Sequence, residues 1–200
     1  MIGIIKAFPS RRLLFVTIAL ILFTLQGCGG ALFKVKPVVE SPALPESSKS
    51  VTSGGITLRV APLLSDEGSQ ELFGANLPVA GILPVRMELV YESGEPVDIK
   101  RARIYLRDSE GREWKPLSAK QATSRILKSN GIYAYNPNSR MQFEKEFGAY
   151  EMDLKTPLTA KERRQGFLFF QTPDKQPVES PRDFTLIIER LPQPVEIKIN

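Results

Sequence analysis

The 200-residue chain contains no histidine and a single cysteine, Cys28. Without an imidazole, Ser-His-Asp and Cys-His catalysis, His-based zinc sites and pH switching near neutrality lack their working group. One cysteine permits neither an internal disulfide nor a Cys-rich metal site. Chemistry is left to carboxylates, Lys, Arg, Tyr and hydroxyls. Glu144, Glu146, Glu151 and Asp153 form an acidic cluster of the kind that serves hydrolysis or binds Ca²⁺. It lacks a DxDxDG spacing, and the interleaved Lys145 and Lys155 read as ordinary surface pairing. Gly-x-Ser-x-Gly, Walker and GxGxxG motifs are absent, so nucleophile elbows and phosphate-cradling loops have no basis. We expect no catalytic residue, no metal and no cofactor.

Two clusters suit binding instead. Arg101, Arg103 and Arg107, with Tyr105 between, share one face of a strand because side chains two apart do so. Such a stripe is a candidate anion or partner contact, since guanidinium groups bind oxyanions bidentately; its plain alternative is a solvated face balanced by Glu88 and Glu92. Phe73-Gly74-Ala75-Asn76-Leu77-Pro78, followed by Gly81-Ile82-Leu83-Pro84, is an apolar stretch whose prolines oppose a regular central strand. Phe73 and Leu77 are thus candidates for a partner loop, or plugs for one end of the core.

The formal net charge is +5, but Lys6, Arg11 and Arg12 precede Cys28 and no acid does. From Cys28 onward 24 basic residues face 22 acidic ones, a net of +2, which argues against a nucleic-acid partner. Those three cations open a secretory-signal layout. The 13 apolar-run residues from Leu13 to Leu25 follow, fewer than the ~20 a spanning helix needs. Leu25-Gln26-Gly27-Cys28 comes next.

That tetrapeptide resembles the lipobox of bacterial lipoproteins. The resemblance covers residues 1–30 and implies cleavage between Gly27 and Cys28, with lipid on the Cys28 thiol. A soft thiol is the nucleophile that takes the acyl group, and two or three chains at about 0.8 kcal/mol per methylene hold a protein at a bilayer. Gly29, in place of the Asp that retains such proteins at the inner membrane, implies the outer membrane facing the periplasm. The covalent lipid is the only non-protein group expected, and the membrane the first partner.

The positioning elements follow from patterning. Residues 1–27 read as signal peptide and 28–55 as lipidated N-terminus and flexible linker, rich in Pro, Ser and Gly, spanning roughly 25–30 Å. Residues 56–200 read as one β domain. Ile56/Leu58/Val60, Val85/Met87/Leu89/Tyr91, Ala102/Ile104/Leu106, Phe184/Leu186/Ile188 and Val195/Ile197/Ile199 alternate with polar residues, as half-buried strands do. Phe167-Leu168-Phe169-Phe170 predicts a strand covered on both faces. Ser118 with Gln121 forms a capping box, predicting one short helical insertion near 118–129. Residues 132–160 show no clean period, and Asn136-Pro137-Asn138 reads as a turn. The predicted fold is mainly β, an antiparallel two-sheet sandwich that resembles the immunoglobulin-like domains of envelope lipoproteins. The function this implies is a membrane-anchored, non-catalytic binding or structural module for an envelope protein or polymer. A His-independent carboxylate hydrolase acting on envelope glycan, or an accessory subunit of a secretion or transport complex, are the alternatives.

If the thiol of residue 28 carries the lipid, Cys28→Ser leaves an uncleaved or mislocalised precursor with no label from a radioactive or clickable fatty acid. Equal incorporation into the variant overturns the anchor.

Overall fold

The computed structural model describes residues 32–40, 43–178, 183–191 and 193–199. The signal segment, Gly27 and Cys28 lie outside these. The described residues from Phe33 onward form one compact unit.

The alternating segments become β2 (Ile56–Pro62), β3 (Ile82–Tyr91), β4 (Arg103–Arg107), β7 (Thr185–Glu189) and β8 (Val195–Lys198). The two-sided apolar run becomes β6 (Glu162–Gln171). Two further strands, β1 (Lys49–Ser53) and β5 (Glu113–Leu117), complete a single antiparallel sheet in the order β1-β2-β3-β6-β5-β4-β7-β8. The two separate sheets of an immunoglobulin-like sandwich are not confirmed. The sheet is barrel-like and nearly closed, and Ser53 Oγ and Gly54 N near one edge donate to Gln193 Oε1 near the other at 3.2 and 3.1 Å. Alternation specifies a buried and an outer face in either architecture, so the period alone does not separate them.

Inside the barrel, Leu58, Val85, Met87, Leu106, Phe170 and Leu186 form a filled core. Its remaining gap, about 20 Å³, is lined by apolar side chains including Met87, Ile104 and Leu154. A second core lies on the outer face of β3 and β6. There Ile82, Phe167 and Phe169 meet three helices: α1 (Asp66–Phe73), α2 (Ala119–Ser129) and α3 (Pro137–Gly148).

Each helix begins at a side-chain cap, as orphan N–H groups require. Ser65 accepts from Gly68 N, with Asp66 and Glu67 favouring the positive end of α1. The Ser118/Gln121 box opens α2 as expected. Asn136 accepts from the amides of Asn138 and Ser139, and Pro137 occupies the first turn of α3, where its missing N–H costs nothing. The segment expected to be a turn is therefore a helix start. Gly74 closes α1 at φ +64, and a Cβ there would lie 2.5 Å from Lys34 N, so glycine is required twice over.

The linker expectation is corrected at two places. Residues 49–53 form strand β1, paired with β2 from Lys49↔Val60 to Ser53↔Ile56. Phe33 and Val35 are buried in the helix-side core, and Lys36 N donates to Leu72 O at 2.9 Å. Proline did not exclude a central strand either. Pro84 lies in β3, and its carbonyl accepts from Leu63 N. Its nitrogen faces that same side just past the end of β2 at Pro62, so the missing N–H costs at most one bond at the end of the ladder.

Phe73 packs against Phe147, Tyr150, Phe167 and Phe169 with ring centroids 5.2–5.8 Å apart. Phe73→Ala should lower stability by about 3–5 kcal/mol, read as a lower urea midpoint. An unchanged midpoint would return this residue to a surface loop.

Candidate functional site

The structure first redistributes the residues singled out above. Phe73 and Leu77 are fully buried, so the proposed partner loop is core. Ser69 Oγ holds that segment, donating to Ala75 O and accepting from Leu77 N.

Arg103, Tyr105 and Arg107 do share the outer face of β4, because Ile104 and Leu106 point inward. Arg101 is exposed in the turn before the strand. Arg103 and Tyr105 of the stripe are internally occupied. Arg103 pairs with Glu113 at 3.0 Å and Glu189 at 3.3 Å, and its guanidinium stands 4.8 Å over the Tyr105 ring. Arg107 lies 5.8 Å from the same ring. Tyr105 itself is buried and donates to Glu189 at 2.9 Å; burial, then that carboxylate, pushes its phenol above the ordinary range. The balancing acids are Glu113 and Glu189, on β5 and β7, not Glu88 and Glu92.

Glu88 instead is buried on the outer face of β3, where Arg59, Arg163 and Gln165 converge on its two oxygens. Burial pushes this carboxyl up, but the hydrogen bonds from Arg163 and Gln165 and the charge of Arg163 outweigh it and hold the group below its usual range. Asp108 is built the same way, its burial outweighed by bonds from the Trp114 indole at 3.0 Å and from Arg112. Trp114 is thereby a core anchor, edge-on to Phe184 at 4.7 Å.

The acidic cluster does not assemble. Glu144 pairs with Arg140 at 2.8 Å within α3, and Glu146 accepts from Gln142. Asp153 accepts from the amides of Lys155 and Thr156 in a turn. Glu151 makes a lone parallel bridge with Phe167. Among the described residues, no group of three or more acidic side chains is placed to hold a metal ion.

What the fold does assemble is basic. A groove of about 460 Å³ runs between α2 and the loop after β6, lined by Leu117, Lys120, Gln121, Ser124, Arg125, Lys128, Gln171 and Lys175. Arg125 forms its wall: Nε donates to Ala80 O at 3.0 Å and Nη2 to Lys175 O, clamping α2 to two loops. Lys120, Lys128 and Lys175 have no carboxylate within 4.0 Å among the described residues. The groove continues past Gln171 and Lys175 into a hollow bordered by Lys115 and Glu113. Lys120, Ser124 and Lys128 recur every four residues, so the expected helix already placed them on one face; that signal was legible. Lys175 joins them only through folding.

Compared with family models, with curated proteins and with solved structures, the chain gives no match.

Glu88 supplies a pH test. Because its folded-state acidity is strengthened, its contribution is complete above the ordinary carboxylate range and is lost as pH falls through that range toward the folded value. Glu88→Gln should cost about 1–3 kcal/mol at pH 7, the scale for hydrogen bonds to a charged group. The gap to the parent should narrow as the pH drops below about 4, measured by urea unfolding across pH. A gap constant with pH would refute this account.

Proposed function

We propose that the protein is a lipid-anchored lipoprotein of the bacterial cell envelope, with a non-catalytic binding module that holds acidic groups of a protein or envelope-polymer partner. The observation that carries the binding part is the contrast between two basic surfaces. Arg103 on β4 is neutralised by Glu113 and Glu189, whereas Lys120, Lys128 and Lys175 border a groove with no acid in its lining and pair with no carboxylate among the described residues. Lysines held around a groove lower the cost of gathering anionic groups there, through Coulomb attraction and charge-assisted hydrogen bonds.

The anchoring part rests on Leu25-Gln26-Gly27-Cys28 after a short apolar run, and the outer-membrane, periplasm-facing location on Gly29. The groove has features suited to recognition. Ser124 is held by a bond to Lys120 O and by Arg140 Nη2, and the amides of Gln121 and Gln171 add neutral donors beside the charges. Apolar Leu117 in its lining supports contact with a polymer backbone or side chain. Binding of this kind weakens as salt screens exposed charges.

A photo-crosslinking amino acid at Gln121 in the full-length protein, in intact cells, should yield a discrete adduct. The combined Lys120→Glu, Lys128→Glu and Lys175→Glu variant should lose most of it, and an equivalent probe at Arg107 should give none. An adduct indifferent to the charge reversal would remove the groove from the function.

A further inference from the structure

The residues that follow Cys28 limit how far the domain stands from the membrane, given the lipid-anchored reading above. A flexible linker of some 27 residues would let the domain wander roughly 25–30 Å from its anchor. The chain is instead tied down from Phe33. That ring stacks on Phe143 at 4.7 Å and meets Tyr135 edge-on at 6.4 Å. Val35 is buried beside it in the helix-side core. Lys36 N donates to Leu72 O at 2.9 Å, and Tyr150 Oη donates to Lys36 O at 2.9 Å. Only residues 29–32 separate the cysteine from this attachment. Five Cα steps at ~3.6 Å reach at most about 18 Å, a distance comparable to the headgroup layer plus one helix diameter.

The surface around that attachment has the composition of a membrane interface. Tyr133 is 83% exposed and stands two residues from Tyr135, which touches Phe33. Met141 is 61% exposed on α3, two residues before Phe143, the ring stacked on Phe33. Asn138, Met141, Gln142 and Lys145 are exposed at the 3–4 spacing that puts them on one side of α3. Lys34 and Lys145 are exposed, with no carboxylate within 4.0 Å among the described residues. Tyrosine favours the bilayer interface, and lysines beside an apolar contact reach headgroup phosphates.

We propose that the exposed face of α3 and the loop before it, with Tyr133, Met141, Lys34 and Lys145, rests on the anionic lipid surface that holds the Cys28 acyl chains. The lipid then fixes orientation as well as location. The helix-covered strands β3 and β6 turn toward the bilayer, and β7 and β8, on the far side of the sheet order, turn away from it.

Acylation consumes the only native thiol, so an added cysteine is uniquely labelled. Full-length Tyr133→Cys, Met141→Cys and, as a distal control, Glu196→Cys are each coupled to a polarity-sensitive fluorophore. Each is then reconstituted into phosphatidylcholine–phosphatidylglycerol vesicles containing headgroup-quencher lipid. Quenching at 133 and 141 should exceed that at 196 severalfold, with a blue-shifted emission. Equal quenching at all three positions, with the acyl group on residue 28 verified by mass in the same sample, overturns the apposition and leaves the anchor standing. Absence of the acyl group overturns both.

Discussion

The second half of strand β6, Phe167–Phe170, is apolar on both faces, and most of the architecture answers that fact. Leu168 and Phe170 point into the barrel, while Phe167 and Phe169 point out. A strand buried on one side only would leave two phenylalanine rings in water, each worth roughly 1.5–3 kcal/mol of lost burial. The three helices and the Phe33–Val35 segment supply the missing cover. Phe147 lies 4.6 Å from Phe169 and Phe73 5.4 Å from Phe167. Gly166 lets the chain at 150–152 lie flat against the strand, since a Cβ there would sit 2.6 Å from Met152 Cα. Phe167 N then donates to Tyr150 O at 2.7 Å, and Met152 N to Phe167 O at 2.9 Å.

Charge is distributed with equal economy. Where carboxylates are buried, as at Glu88 and Asp108, several donors surround each, and no buried side-chain polar atom is left without a partner among the described residues. Burying a charge is tolerable only under such conditions. The arginines of β4 are likewise absorbed into their own sheet, Arg103 bridging strands β5 and β7. The groove beside α2 is organised differently. Its one arginine is spent on backbone carbonyls, which stiffens the wall, and its lysines are left facing solvent. Residues that look alike in a list of cations therefore have separate roles, decided by which acids fold beside them.

Several elements were legible from pattern because their causes are local. Alternation over Val85–Tyr91 and Leu186–Ile188 marks strands, since period 2 is a property of the extended backbone itself. Ser118 and Gln121 lie three residues apart, the distance at which a capping box closes. Two other starts carry equally local signals: Ser65 before Asp66 and Glu67, and Asn136 before Pro137. In the latter case Asn-Pro-Asn suits a turn as well as a helix N-terminus, and the Phe143/Phe147 spacing of one helical turn decides between them. The β1 strand was concealed by composition: Lys49-Ser50-Val51-Thr52-Ser53 is polar enough to read as linker, and its only reason to be a strand is the edge of β2.

By itself the sequence determined the strand-rich class, the two-sided burial of Phe167–Phe170, the α2 helix with its lysine face and the position of the cysteine after its apolar run. Each depends on neighbours within a few residues. Tertiary structure alone decided that eight strands join one nearly closed sheet, that Phe33 and Val35 belong to the core, that Glu113 and Glu189 claim Arg103, and that Lys175 completes the groove. These depend on partners far apart in the chain, such as Phe33 and Phe143 or Ser53 and Gln193. No local period encodes which of many compatible surfaces will meet; the joint burial of all of them does.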